Sequence, residues 1–290
     1  MRPALAAATR IRTASAPKVE APCFGRGGLT ATDSPSERIG WSPPPRRRLR
    51  GALAPVLLLC AASAAAQPDG WHETFDAGRL DPARWSFTAQ GDFRERTVDV
   101  LDLGREGRQD FRLRLRADTL GTRDDTVKFL GVRSAHRVRL RKEAHIAVEL
   151  DWNDQANGSY LSAAVVLSPH VADDNPERSP DWLKVEYIGV PPGRNARLIV
   201  AVCSGGQERQ LYTEGWPDTN RQGRRIAIQH VAIRTRGRIL EVWENGTLAY
   251  ASAGPVLSFD EAYLYLQLSS HSNYPAREVY FDDVRFGSKP

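Results

Sequence analysis

The sequence is poor in cysteine, methionine and lysine. It holds three cysteines and one methionine in 290 residues. Cys23 and Cys60 fall within the first 66 residues, so residues 67–290 keep Cys203 alone. A single cysteine forms no internal disulfide and no zinc site of the CxxC kind. Cys203 ends the apolar run Leu198–Cys203, where a thiol is a small buried hydrophobe and not a nucleophile. Lysine numbers five against 35 arginines, which reads as the codon usage of a GC-rich bacterial genome. No apolar run reaches the ~20 residues that span a bilayer. No stretch of a dozen residues carries a convincing helical period, and no repeat of ~40–50 residues marks a propeller. There is no Gly-x-Ser-x-Gly elbow and no phosphate-cradling glycine loop. His72, His136, His145, His170 and His230 are scattered without ligand spacing, so a zinc enzyme is not indicated.

An excess of one charge sign is also missing where it matters. The whole chain carries a net charge of +5. Ten of the 40 Lys/Arg but only three of the 35 Asp/Glu lie in residues 1–66, which leaves 30 bases against 32 acids beyond them. The basic character belongs to the leader, and no nucleic-acid partner is expected. With 41% hydrophobic residues and six tryptophans after residue 66, the rest can bury a core.

The leader has its own logic. Residues 1–45 are rich in Ala, Pro, Ser, Thr and Arg without a period, and read as a disordered or mis-annotated extension upstream of the true start. Arg46-Arg47-Arg48-Leu49-Arg50 is basic, Gly51–Ala62 is apolar, and Ser63-Ala64-Ala65-Ala66 is small. That order is a signal peptide over 46–66, with cleavage expected after Ala66. Cys60 follows Leu59, which is too large for a lipoprotein signal. The mature chain is expected to be secreted or periplasmic, with no transmembrane segment.

From residue 67 the dominant period is two. Phe111, Leu113 and Leu115 alternate with Arg112, Arg114 and Arg116. Ile146, Val148, Leu150 and Trp152 alternate with polar or small residues, and Leu264, Leu266 and Leu268 alternate with Tyr263, Tyr265 and Gln267. Each run is a strand with one buried face. Asn245-Gly246 between two apolar runs is a hairpin signal, because both turn residues must take positive φ. Pro191-Pro192-Gly193, Ser204-Gly205-Gly206 and Asn157-Gly158 mark further turns. Residues 168–181 and 212–222 read as long loops over a sheet. About a dozen strands over 67–290 predict one all-β domain, a jelly-roll sandwich of two antiparallel sheets.

Three segments carry a resemblance. Glu73–Trp85 (ETFDAGRLDPARW), Arg238–Gly246 (RILEVWENG) and Val279–Phe286 (VYFDDVRF) resemble the opening, a recurrent strand-turn and the closing strand of concanavalin A-like lectin/glucanase domains. The likeness covers most of 70–287. It implies two stacked sheets, one concave, with sugar chains bound along the concave face. Family-16 glycoside hydrolases are the nearest enzymes, with a Glu-x-Asp-x-x-Glu strand, and this chain's version is incomplete. Glu149-Leu150-Asp151 matches in part but precedes the strand Tyr160–Leu167, whereas the family's catalytic strand follows it. The place of Trp182–Gly189 in the order resembles the family's catalytic strand, and Glu186 matches the acid/base, but the nucleophile position lacks its Glu, since residues 181–185 offer Asp181 alone as an acid. One carboxylate cannot run a two-carboxylate mechanism.

Trp182, Lys184 and Glu186 share one face of their strand, a ring to stack on and two hydrogen-bonding heads. A surface ion pair of Lys184 with Glu186 is the bland alternative. Tyr263, Tyr265 and Gln267 form a row that reads as a sugar platform or as an aromatic ladder, with His271 at the strand end. The resemblance also implies a structural calcium held by Glu73 or Asp76 with Asp282 or Asp283. The expected function is binding of a polysaccharide or glycan without hydrolysis, through Trp182, Lys184, Glu186, Tyr263, Tyr265 and Gln267. The alternatives are a glycoside hydrolase or polysaccharide lyase joining Glu186 to Glu149 or Asp151, and an envelope or adhesion protein that binds another protein.

Overall fold

The computed structural model describes residues 70–122, 126–140, 143–151, 161–190, 194–213 and 228–287. The leader, Trp152, Asn157-Gly158 and Pro191-Pro192-Gly193 lie outside the described residues. Fifteen strands are described, β1 Gly70–Glu73, β2 Trp85–Gln90, β3 Glu95–Asp102, β4 Phe111–Asp118, β5 Lys128–Arg139, β6 Glu143–Asp151, β7 Ser162–Ser168, β8 Trp182–Val190, β9 Arg194–Ser204, β10 Gln207–Thr213, β11 Gln229–Arg236, β12 Ile239–Glu244, β13 Thr247–Ala251, β14 Glu261–Ser270 and β15 Arg277–Gly287. Among the described residues the helical content is one 3₁₀ turn, Pro176–Arg178, and no helix is long and apolar enough to cross a membrane.

The strands form two antiparallel sheets. The eight-stranded sheet runs β13-β12-β11-β6-β15-β4-β3, with β1 also on β15, and the seven-stranded sheet runs β10-β9-β8-β7-β14-β5-β2. The expected two-sheet jelly-roll sandwich is therefore observed. Alternation decides which side chains lie between the sheets. Leu113 and Leu115, Ile146, Val148 and Leu150, Leu183, Val185 and Tyr187, and Leu264, Leu266 and Leu268 are all in that core. The alternating arginines face out and pair with the residue just before their strand or with the neighbouring strand: Arg112 with Asp110, Arg114 with Asp99, Arg116 with Glu95.

The turns follow their residues. Asn245 (φ 50°) and Gly246 (φ 77°) join β12 to β13 with both central residues left-handed, as the hairpin requires. The resemblance segment Glu73–Trp85 makes a packed corner. Trp71 stacks near Trp85 and Phe286, at 5.1 and 4.9 Å between ring centroids, and Phe75 lies 6.1 Å from Trp85. Glu73 closes that corner, accepting from the Phe75 amide at 3.1 Å, Arg84 at 3.2 Å and the Trp85 indole N–H at 3.4 Å.

Candidate functional site

The outer face of the seven-stranded sheet carries the residues singled out by sequence. Pairing registers set them in rows across five strands. One row is Arg133, Tyr265, Val166, Lys184 and Ala201, and the next is Gly131, Gln267, Ala164, Glu186 and Ile199. Gly131 cannot be larger, because a Cβ there would sit 2.4 Å from the Leu266 carbonyl oxygen.

The expectation of an open aromatic platform is corrected here. Trp182 and Tyr265 are 2% and 1% exposed, and both lie in a second apolar cluster with Val166, Ala172, Ala201 and Cys203. The segment 169–181 crosses this face as a strap, and polar contacts hold it there. Tyr265 Oη donates to the His170 carbonyl at 2.8 Å and accepts from the Ala172 amide at 3.0 Å. Trp182 Nε1 donates to the Glu177 carbonyl at 3.0 Å. Gln267 Nε2 donates to Asn175 Oδ1 at 3.4 Å, while Gln267 Oε1 is buried without a partner. Asn175 Oδ1 also caps the 3₁₀ turn by accepting from the Glu177 amide at 3.0 Å. Burial pushes the Tyr265 phenol above its ordinary pKa.

The centre of the site is a buried ion cluster. Lys184 Nζ lies 2.6 Å from Glu177 Oε2 and 3.3 Å from Glu186 Oε2. All three side chains are less than a fifth exposed. Burial works against the lysine charge, yet the carboxylates of Glu186 and Glu177 outweigh it and hold its pKa above the ordinary range. Burial pushes the Glu177 carboxyl up against the pull of that lysine. The Lys184–Glu186 pair is thus real but is no surface pair. Glu177 escaped the sequence reading because it comes from a loop with no periodic pattern. Asn175-Pro176-Glu177, a capping residue before a proline, is the one local sign of an ordered turn there.

Tyr263 lies at the margin of the strap, with Arg133 and Arg137 over its ring at 5.3 and 5.0 Å. The His271 carbonyl accepts from Thr119 Oγ1 at 2.5 Å, which ties the end of β14 to the loop after β4. Beside the strap, Asp181 accepts from Ser258 and the Gly205 amide and lies 3.5 Å from His170 Nε2, and these contacts hold its carboxyl below the ordinary range. Cys203 is a free, buried thiol whose pKa is pushed up by burial, which suits an inert side chain.

Two further expectations do not match the geometry. Glu149 and Asp151 cannot join Glu186. They stand on β6 in the eight-stranded sheet and point away from the core that holds Val148 and Leu150. Glu186 points away from the same core on the other sheet, so the whole sandwich separates them. Glu149 instead meets His230 Nδ1 at 3.2 Å. The calcium donors do not gather either. Glu73 is used by its corner, Asp76 accepts from Thr74, and Asp283 is paired with His72 at 2.6 Å and Arg285 at 2.7 Å. Asp282 faces Glu149 across the β15–β6 ladder. Among the described residues no three His, Cys, Asp or Glu side chains are placed to hold a metal ion. Hard cations want about 6–8 oxygens, and Glu73 and Asp283 already serve cations and amides of the chain.

No protein-family model and no curated protein matches the chain. Among solved structures it is similar to the β-glucanase of Bacillus licheniformis, at 12% identity and a TM-score of 0.53, over 76% of this chain and 98% of that one. It is similar to a structure described under endo-acting O-glycanases of human gut microbiota that initiate mucin breakdown, at 15% identity and a TM-score of 0.50, over 76% and 99% of the two chains. It is also similar to a GlcNAcα1-4Gal-releasing endo-β-galactosidase of Clostridium perfringens, at 10% identity and a TM-score of 0.51, over 74% of this chain and 61% of that one. At these identities the likeness is one of fold, a jelly-roll sandwich of two antiparallel sheets.

Proposed function

We propose that this is an exported protein that binds a polysaccharide or glycan on the outer face of its seven-stranded sheet and does not hydrolyse it. The fold is shared with a β-glucanase and an endo-β-galactosidase, which supports a glycan as ligand. One observation carries the non-catalytic reading. Glu177 and Glu186 both pair with Lys184 on this face, and its ammonium stands between the two carboxylates. A retaining glycosidase keeps its two carboxyls about 5–5.5 Å apart and leaves the space between them for the scissile bond. Here the gap holds a cation, and Glu177 belongs to the strap.

Gln267 and Glu186 are 3% and 8% exposed beneath the strap, so a glycan would reach their row only with the strap lifted. The unpartnered Gln267 Oε1 would then be free to accept a sugar hydroxyl. Trp182 and Tyr265 act beneath the strap as its anchors. Residues 46–66 direct export, with cleavage after Ala66.

The test is the purified protein against a panel of polysaccharides, with binding and reducing-end release scored together. Binding without release is expected. Release that disappears in E186Q would replace this reading with a hydrolase built on Glu186 and Glu177. Silence on both signals would favour a protein-binding envelope component.

A further inference from the structure

The opposite face of the sandwich carries a dent separate from the strap-covered site. On the eight-stranded sheet, Ala147 of β6 stands opposite Ala232 of β11, and Ala232 stands opposite Trp243 of β12. Two neighbouring alanines on an outward face lower its floor. The hollow above them is bounded by Trp243 and Arg234 on one side and by Glu149 and Asp283 on the other. It is built entirely from described residues.

The walls are set in place. The Trp243 indole N–H donates to Glu241 Oε2 at 2.9 Å, and the Arg234 guanidinium lies 4.4 Å from the ring centroid. The half-buried indole is therefore fixed in orientation. Asp283 takes a left-handed φ of 47° at the bulge in β15, which puts its carboxylate on His72 and Arg285. Glu149 is oriented by His230. Arg234 Nε is buried without a hydrogen-bond partner.

The chemistry selects among ligands. An anion would meet the carboxylates of Glu149 and Asp283. A cation would meet Arg234. An apolar ligand would desolvate the Arg234 guanidinium and the Glu149 and Asp283 carboxylates that line the hollow without offering them partners. A neutral polyhydroxyl ring satisfies all of these at once. Its C–H face packs on alanine and indole, and its hydroxyls both accept from Arg234 and donate to carboxylates. We propose that this dent is a second saccharide site, for a neutral sugar unit, on the sheet face opposite the first. A chain with sites on both faces gains avidity on a polymer or joins two polymers. The dent shares no residue with the strap-covered site and binds independently of it.

The experiment is titration of the full chain on an array of neutral and acidic oligosaccharides, with W243A and A232L beside the wild type. W243A removes the wall, and A232L fills the floor from the solvent side without touching the core. Both are expected to lower affinity for at least one neutral oligosaccharide about tenfold or more, A232L with unchanged melting temperature and W243A with a small loss from its Glu241 and Arg234 contacts, and with little effect of 0.5 M salt. Neutral-sugar binding that both variants leave intact would overturn the assignment even if the first site were correct. A wild type that binds no neutral sugar, or a site that takes acidic sugars with a strong salt dependence, would overturn it as well.

Discussion

Lys184 shows how one residue type changes meaning with its surroundings. In the sequence it is a polar residue between two apolar ones. In the fold it is the cation that lets two carboxylates stay under a strap. Breaking a buried ion pair by removing one partner typically costs about 3–5 kcal/mol. K184M is expected to lose stability of that order in urea unfolding, and E177Q in the same chain should restore part of it. Asp282 makes the opposite case. Burial first, and the facing Glu149 further down, push its carboxyl up to about 6. A folded pKa above the unfolded value means that the folded state holds the proton more tightly. Its stabilising contribution is complete below about pH 4 and is lost as pH rises through about 6. D282N should therefore be more stable than wild type at pH 7, by about 1 kcal/mol once solvent screening is allowed for. The advantage should vanish below pH 4, as read by melting temperature against pH.

At the scale of elements, the strands were legible and the strap was not. Phe111–Arg116 and Tyr263–Leu268 alternate with period two, and their leucines enter the core. The Asn245-Gly246 hairpin was legible because few residues tolerate its φ. The strap has no period. Its place comes from long-range partners, above all the Tyr265 hydroxyl that joins His170 and Ala172. Removing that hydroxyl leaves both backbone groups to find other partners, at about 1–3 kcal/mol. Y265F is expected to speed hydrogen exchange and proteolysis within 169–181 while the sheets stay protected. Y265A should go further, with a loss of about 3–5 kcal/mol as for a large buried aromatic. A variant that gained sugar affinity without losing stability would speak against the anchoring role.

At the scale of the molecule, all described structure lies between residues 70 and 287. Its two sheets share one core drawn from both. A single core predicts a single cooperative transition. The fragment 67–290 is expected to unfold in one step at the melting temperature of the full chain. Calorimetry checks this, and a fragment that melts lower or in two steps would give the leader a structural role.

By itself the sequence determined the fold class, because alternation and turn chemistry are local and each strand states which face it buries. It also put Trp182, Lys184 and Glu186 on one face and Tyr263, Tyr265 and Gln267 on another strand's matching face. Only the tertiary structure decided what covers those faces and which acids meet. Glu149 and Glu186 are both outward residues of good strands, and nothing local says that their strands belong to different sheets. Glu177 reaches Lys184 by a loop, and the Trp243 dent needs two alanines from separate strands. Sheet membership and loop paths follow from the total burial of the chain, a sum over distant contacts that no short window contains.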